Sequence, residues 1–221
     1  MIDVDPPAIA AAVAAVRSRI EAAATRAGRD PSEVLLVAAT KTVPTAAVQA
    51  VVDAGVIDVG ENRAQELVAK APELAPGSGA RWHLLGRLQR NKVRALAPWI
   101  TCWQSVDRGP LGSEIARRAP GANVLVEVNL AGEAQKGGCP TAQLGQLIDT
   151  LRAQLLVVDG LMTVPPHDGE ARRWFAELRE LGQHFGLSEL SMGMTDDFEI
   201  AVEEGATIVR VGRALFGPRP S

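Results

Sequence analysis

The chain has 221 residues, 47% of them hydrophobic, and a formal net charge of −3 with a pI of about 5.7. That is enough apolar residue for a large core, and without a basic stripe or basic run a nucleic-acid role has little electrostatic support. Two cysteines, Cys102 and Cys139, and three scattered histidines give neither a disulfide framework nor a zinc spacing, which fits a reducing compartment.

The first residues carry Asp3, Asp5 and two prolines where a secretory peptide needs a positive start and an apolar stretch. Apolar runs stay well under the ~18 residues that span a bilayer. The expectation is a soluble, cytoplasmic protein. From Pro7 to Gly28 the spacing predicts a helix, with Ile9, Val13, Val16 and Ile20 on one face and Gly28 as its stop. Strand patterns then follow from Val34 (VLLVAAT), Val56 (VIDVG), Arg81 (RWHLLG), Ile100 (ITCWQSV), Asn123 (NVLVEVNL), Leu155 (LLVVDGLM), Ser188 (SELSMG) and Thr207 (TIVRVG). Between them lie amphipathic helical patterns such as TAAVQAVVDAG, AQLGQLIDTLRAQ, EARRWFAELRELGQHFG and DDFEIAVEEGA. Asp196 with Glu199 predicts a capping box opening the last of these, and Gly205 closes it.

Eight strand–helix units with no break in composition predict an α/β fold, a single (β/α)8 barrel over residues 1–221 with an extra N-terminal helix. A doubly wound sheet would usually show a GxGxxG turn, and the chain has none; the loop GEAQKGG resembles a phosphate loop only loosely.

Active sites of such barrels collect at the C-terminal strand ends. Lys41 follows strand one, Glu61 and Asn62 strand two, and His83 lies in strand three. Ser105 and Asp107 end the fourth, Asn129 the fifth, Met162 and Thr163 the sixth, Ser191 the seventh and Arg210 the eighth. Each could be a solvated strand end; corresponding positions on successive strands argue for a site. Ser191 and Gly193 after strand seven, with Gly212 and the short Arg213-Ala214-Leu215 segment after strand eight, match the usual phosphate position of this fold. Turn-shaping glycines explain them equally well. Arg210 lies between Val209 and Val211 and points opposite to them, so it needs a partner inside the protein, and Glu127 is available. Lys41, at the end of an apolar strand, is either a snorkelling amine or one that forms a Schiff base with a carbonyl. With phosphate across the same mouth, pyridoxal 5′-phosphate and the sugar phosphate of a class I aldolase satisfy the same constraints.

The stretches AATKTVP, DVGENRAQEL, WHLLGRLQRNK, SVDR, VLVEVNLAGEAQKGG, GLMTVPP and LSMGMTDDFEIAVEEGATIVRVGRALFG, in order from about residue 7 to Arg219, together resemble the pyridoxal phosphate homeostasis family. The resemblance implies one barrel like the N-terminal domain of alanine racemase, with pyridoxal phosphate held on Lys41 as an aldimine. It implies a phosphate cradle of Ser191, Gly212 and the Arg213 amide, Arg210 beside the pyridine nitrogen, and Asn62 and His83 on the pocket wall. The family often has threonine where this chain has Arg213, so the direction of that side chain is open. The implied function is a carrier or buffer in vitamin B6 homeostasis, with apo-enzymes as recipients and the chain a monomer or weak homodimer. The alternative is a narrow racemase-like enzyme. That would need a second acid/base facing the lysine, and the chain has no tyrosine; Cys102, Cys139 or a water would have to serve. Lys136 in GEAQKGG is expected to be a solubilising loop lysine, with a looser secondary aldehyde-binding amine as the other reading.

Overall fold

The computed structural model of the chain describes residues 4–133, 136–166 and 168–217. Ala134 and Gln135 of the GEAQKGG loop, Asp3, and the tail beyond Gly217 lie outside the described residues. Asp5 accepts a hydrogen bond from the Ala8 N–H and starts α1 (Pro6–Arg26), where leading prolines cost no backbone bond. Ile9, Val13, Val16 and Ile20 are all buried as the spacing required. Each contributes about 2 kcal/mol of burial before the entropy of ordering it.

Eight strands follow: β1 (Leu35–Ala39), β2 (Asp58–Glu61), β3 (Arg81–Leu84), β4 (Ile100–Val106), β5 (Asn123–Asn129), β6 (Val157–Met162), β7 (Glu189–Ser191) and β8 (Ile208–Val211). All pairs are parallel, and β8 pairs with β1 through Leu35↔Ile208 and Val37↔Arg210, closing the barrel. Each strand leads into a helix: α2 (Thr45–Asp53), α3 (Ala64–Lys70), α4 (Val93–Leu96), α5 (Gly109–Arg118), α6 (Leu144–Ala153), α7 (Ala171–Phe185), α8 (Phe198–Glu203) and α9 (Arg213–Phe216). A two-residue ladder at Cys139–Pro140 extends the top of β5, a feature too short for periodicity to reveal.

Alternation along the strands separates two apolar compartments. Val124 and Val126 belong to the large core between strands and helices, whereas Leu125 joins Val37, Leu85, Met162 and Ile208 in the lumen. Leu35, Ala39 and Cys102 pack against this cluster, and the polar inward residues build the site.

The helix α8 begins otherwise than its sequence suggests. Asp197, not Asp196, is its N-cap residue, and its carboxylate accepts from the Met194 N–H rather than from the helix. Asp196 pairs with Arg213 and Glu199 with Arg19 of α1 at 2.9 Å. Both carboxylates that could have formed the capping box thus face a guanidinium from another element, and a charge-assisted pair is the stronger bond. Gly205 does close the helix, at φ +101°.

Candidate functional site

Lys41 stands in the β1–α2 loop, and that loop is braced from beneath. Thr40 is fully buried; its N–H donates to the Gly60 carbonyl at 2.8 Å and its hydroxyl to Glu61 at 2.9 Å. Lys70 of α3 donates to the Thr40 carbonyl at 2.8 Å and to Glu61 and Glu66 at 2.5 and 3.0 Å. Glu61, one of the polar strand ends, is therefore committed to structure. Thr42 adopts a left-handed backbone at φ +64°, uncommon for a β-branched residue, with its N–H held by Glu66 at 2.8 Å. Strain of this kind persists where surrounding bonds over-determine it, here beside the amine.

A chain of side-chain hydrogen bonds crosses the lumen. Arg210, 5% exposed, donates to Ser191 Oγ at 2.6 Å and to the Thr163 carbonyl at 2.7 Å. The Ser191 hydroxyl donates to Gln104 Oε1 at 2.6 Å, leaving the Gln104 amide to donate to His83 Nδ1 at 2.8 Å. His83 Nε2–H then faces Asp58 at 2.9 Å, and Arg81 completes the chain on the same carboxylate. The polarity is fixed at each link because the guanidinium can only donate. Burial pushes Asp58 up, but the hydrogen bonds from His83 and Arg81 outweigh it and hold the carboxyl below its ordinary value. Arg210 thus takes its direct partners from Ser191 and Thr163, and Glu127 acts on it only as a nearby charge. Burial lowers Arg210 to about 10, opposed by Glu127 and Asp197, so it stays protonated at neutral pH.

Above this chain, at the C-terminal strand ends, lies a cavity of about 630 Å³. Among its lining residues are Lys41, Asn62, Thr195, Arg210, Gly212 and Arg213. Five of the seven residues that the resemblance places around the cofactor therefore meet in one cavity. The other two stand behind it: Ser191 and His83 are buried, and their polar atoms are engaged in the lumen chain. Gly193 likewise serves the turn, its carbonyl accepting the Arg210 N–H at 3.0 Å. Thr195 is the hydroxyl that does reach the cavity. The signal for it was available, since barrel sites are built from loops beyond the strand ends and Ser191 is still within β7. Asn62 is held where the chain passes Gly86, whose missing side chain leaves room for the Asn62 backbone: a Cβ there would lie 2.2 Å from the Asn62 carbonyl oxygen. Arg213 turns its guanidinium to Asp196 across the cavity rim. Lys136 bonds to the Pro165 carbonyl and to Glu133, at 3.2 and 2.6 Å.

A second cavity of about 470 Å³ opens at the opposite end, beside Arg17, Asp58 and Arg81. Its cations are already spent, Arg81 on Asp58 and Arg17 on the Gly55 carbonyl. Among the described residues no cluster of histidine, cysteine or acidic groups could hold a metal ion, and no helix is long and apolar enough to cross a membrane.

Residues 12–220 match the family model of the alanine racemase N-terminal domain. Alanine racemase from Corynebacterium glutamicum superimposes with a TM-score of 0.73 at 16% identity, over 99% of this chain and 63% of that one, a likeness of fold alone. Barrel and mouth together define a protein of the alanine-racemase N-terminal class. Within that class, the pyridoxal phosphate homeostasis protein of Pseudomonas aeruginosa is 43% identical over 222 residues, 96% of each chain. PipY of Synechococcus elongatus, solved with pyridoxal phosphate bound, is 36% identical with a TM-score of 0.82, over 95% of this chain and 100% of that one. The chain belongs to the pyridoxal phosphate homeostasis protein family.

Proposed function

We propose that the mouth cavity takes pyridoxal 5′-phosphate, that Lys41 attaches it covalently through Nζ, and that the protein is a cytoplasmic carrier and buffer of this cofactor in vitamin B6 homeostasis. The whole chain would act as one barrel domain, a monomer or weak homodimer that serves apo-enzymes. The observation carrying this reading is the donor set of a single cavity: an amine, a buried guanidinium, and a hydroxyl with a second guanidinium. These suit an aldehyde, a basic ring nitrogen and a phosphate in turn. The volume, about 630 Å³, lies within the ~300–1,000 Å³ usual for small-ligand sites. The names of the relatives and the bound form of PipY support the same ligand.

When bound, the cofactor supplies an electrophilic carbonyl conjugated to an electron-withdrawing ring. The chain's own residues supply placement. Lys41 would capture the carbonyl; Arg210, protonated and anchored by Ser191 and the Thr163 carbonyl behind it, would give the ring nitrogen no proton and so disfavour extended carbanion chemistry. Asn62 forms part of the wall. Thr195, the Gly212 backbone and Arg213 with its amide would hold the phosphate. The racemase-like alternative finds little in the thiols: Cys102 is pushed up to about 12 by burial, with Asp159, Glu189 and Asp58 adding to it, and Cys139 is raised as well.

The test is a visible absorbance spectrum after adding pyridoxal phosphate, then borohydride reduction and peptide mapping. Label on Lys41 and none on Lys136 is expected. A protein that takes up no pyridoxal phosphate overturns the reading, and sugar phosphates are then tried for the aldolase reaction. Exchange of an amino acid's α-proton with deuterated solvent would speak for the racemase-like enzyme.

Arg213 offers a separate measurement. If its guanidinium moves from Asp196 to the phosphate, Arg213→Ala loses one charge-assisted bond of ~1.5–3 kcal/mol, or roughly 10–100-fold in affinity. Pyridoxal, which has no phosphate, should bind Arg213→Ala and the parent protein equally. Equal losses for both ligands would show that Arg213 supports the fold of the rim instead.

A further inference from the structure

Glu127 is an inward carboxylate of the upper barrel that the site described so far does not use. It lies two residues beyond the lumen residue Leu125 on β5 and pairs in register with Met162, also of the lumen. In a ring of eight strands, β5 stands four places from β1 in either direction, so Glu127 is on the strand opposite the one that leads to Lys41. Among the described residues its Oε2 is buried with no hydrogen-bond partner. Gly137 lies directly on the carboxyl: a Cβ there would come within 3.3 and 3.4 Å of its two oxygens and 3.6 Å of Arg87 Cδ.

The charged groups facing it come from three elements. Asp107 after β4 opposes its ionisation, while Arg210 of β8 and Arg87 after β3 favour it. Asp107 is itself paired with Arg108 and lies 3.9 Å from Arg87. Burial is the largest influence, and the carboxyl is raised to about 7. A half-buried carboxyl with one buried, unpaired oxygen, half ionised near neutrality, is suited to accept a proton and return it.

We propose that Glu127 is the proton acceptor for a primary amine that displaces Lys41 from the carried cofactor. This rests on the pyridoxal phosphate reading above. An amine arriving in the cell is an ammonium ion, without a lone pair. It must also reach the carbonyl carbon from the side that Lys41 leaves open, the side of the β5 wall. The ammonium gives one proton to the Glu127 carboxylate, and the freed amine forms its C–N bond as the C–N bond to Lys41 Nζ breaks. Nζ takes up the proton, leaving Glu127 ionised as before. Atoms and charge balance with no oxidant or reductant. The same step would release cargo to a lysine of a recipient protein.

The experiment compares Glu127→Gln with the parent, both first loaded with pyridoxal phosphate and read by absorbance. An n-alkylamine with a lysine-like pKa of ~10.4 arrives protonated; methoxyamine arrives unprotonated and needs no acceptor. With the alkylamine, Glu127→Gln should be slower by about 100-fold, at the lower end of the usual contribution of a positioned base. The parent rate should rise as pH increases through the carboxyl's ionisation, an inflection that Glu127→Gln lacks. Methoxyamine should react alike with both. Equal rates with the alkylamine, or equal slowing with both amines, overturns the proposal. A cofactor-free readout accompanies it: the infrared band of a protonated carboxyl should fade with a midpoint of about 7 in the parent and be missing from Glu127→Gln. No difference between the two spectra also overturns it. Failure of the parent to load is visible before any amine is added and counts against the cofactor reading itself.

Discussion

Lys41→Ala is expected to lose the absorbance band of bound pyridoxal phosphate and all reducible label, while keeping the fold. The substitution removes the side chain beyond Cβ, while bonds that shape the loop come from its neighbours. Thr40 remains tied to Gly60 and Glu61, the Thr42 N–H remains on Glu66, and the Val43 N–H still donates to the Thr40 carbonyl at 3.0 Å. Contacts at Arg210, Thr195 and Arg213 survive, so weak, rapidly reversible binding should persist and be visible by calorimetry. Retention through gel filtration, which needs slow dissociation, should vanish. If Lys41→Ala retained cofactor and delivered it to an apo-enzyme at the parent rate, covalent capture would play no part in carrying it.

Lys70→Met should have the largest effect on stability. Glu61 is fully buried and Lys70 nearly so, and the ammonium satisfies Glu61, Glu66 and the Thr40 carbonyl together. Removing one member of a buried pair leaves the other charge uncompensated, at a cost of ~3–5 kcal/mol. In a chain of this length that corresponds to a fall in Tm of roughly 10 °C or more. Because Lys70 also fixes the Thr40 carbonyl, next to Lys41, cofactor retention should weaken in parallel. The double variant Glu61→Gln/Lys70→Met should recover part of the loss, since two uncharged side chains leave no buried charge. A shift in Tm of under two degrees for Lys70→Met alone would show that the pair contributes little.

Much of the fold can be read directly along the chain. Seven of the eight strands lie within their predicted runs, β2 runs one residue past VIDVG to Glu61, and α1 buries the face that its spacing predicted. The candidate site was partly legible for the same reason. Lys41, Asn62, Gly212 and Arg213 stand at or just past strand ends, and in a parallel barrel all such ends open on one mouth. Alternation also placed Arg210 on the face opposite Val209 and Val211.

What alternation cannot convey is depth. It says that His83 and Ser191 are candidates to point inward, but their height along the barrel axis depends on how all eight strands are staggered against one another. That stagger puts both below the cavity, on Gln104 and Asp58, and leaves the mouth to Thr195. Partner choice is hidden for a related reason. Arg213 meets Asp196 from seventeen positions away, and Lys70 meets Glu61 only because α3 folds back over β2. Composition, period and motif by themselves determined the barrel and placed Lys41 at the mouth where the strand ends open. Closing the ring decided which inward groups satisfy one another and which, like Glu127, keep an oxygen unbonded among the described residues, because those distances are set by eight strands at once and by no local stretch of chain.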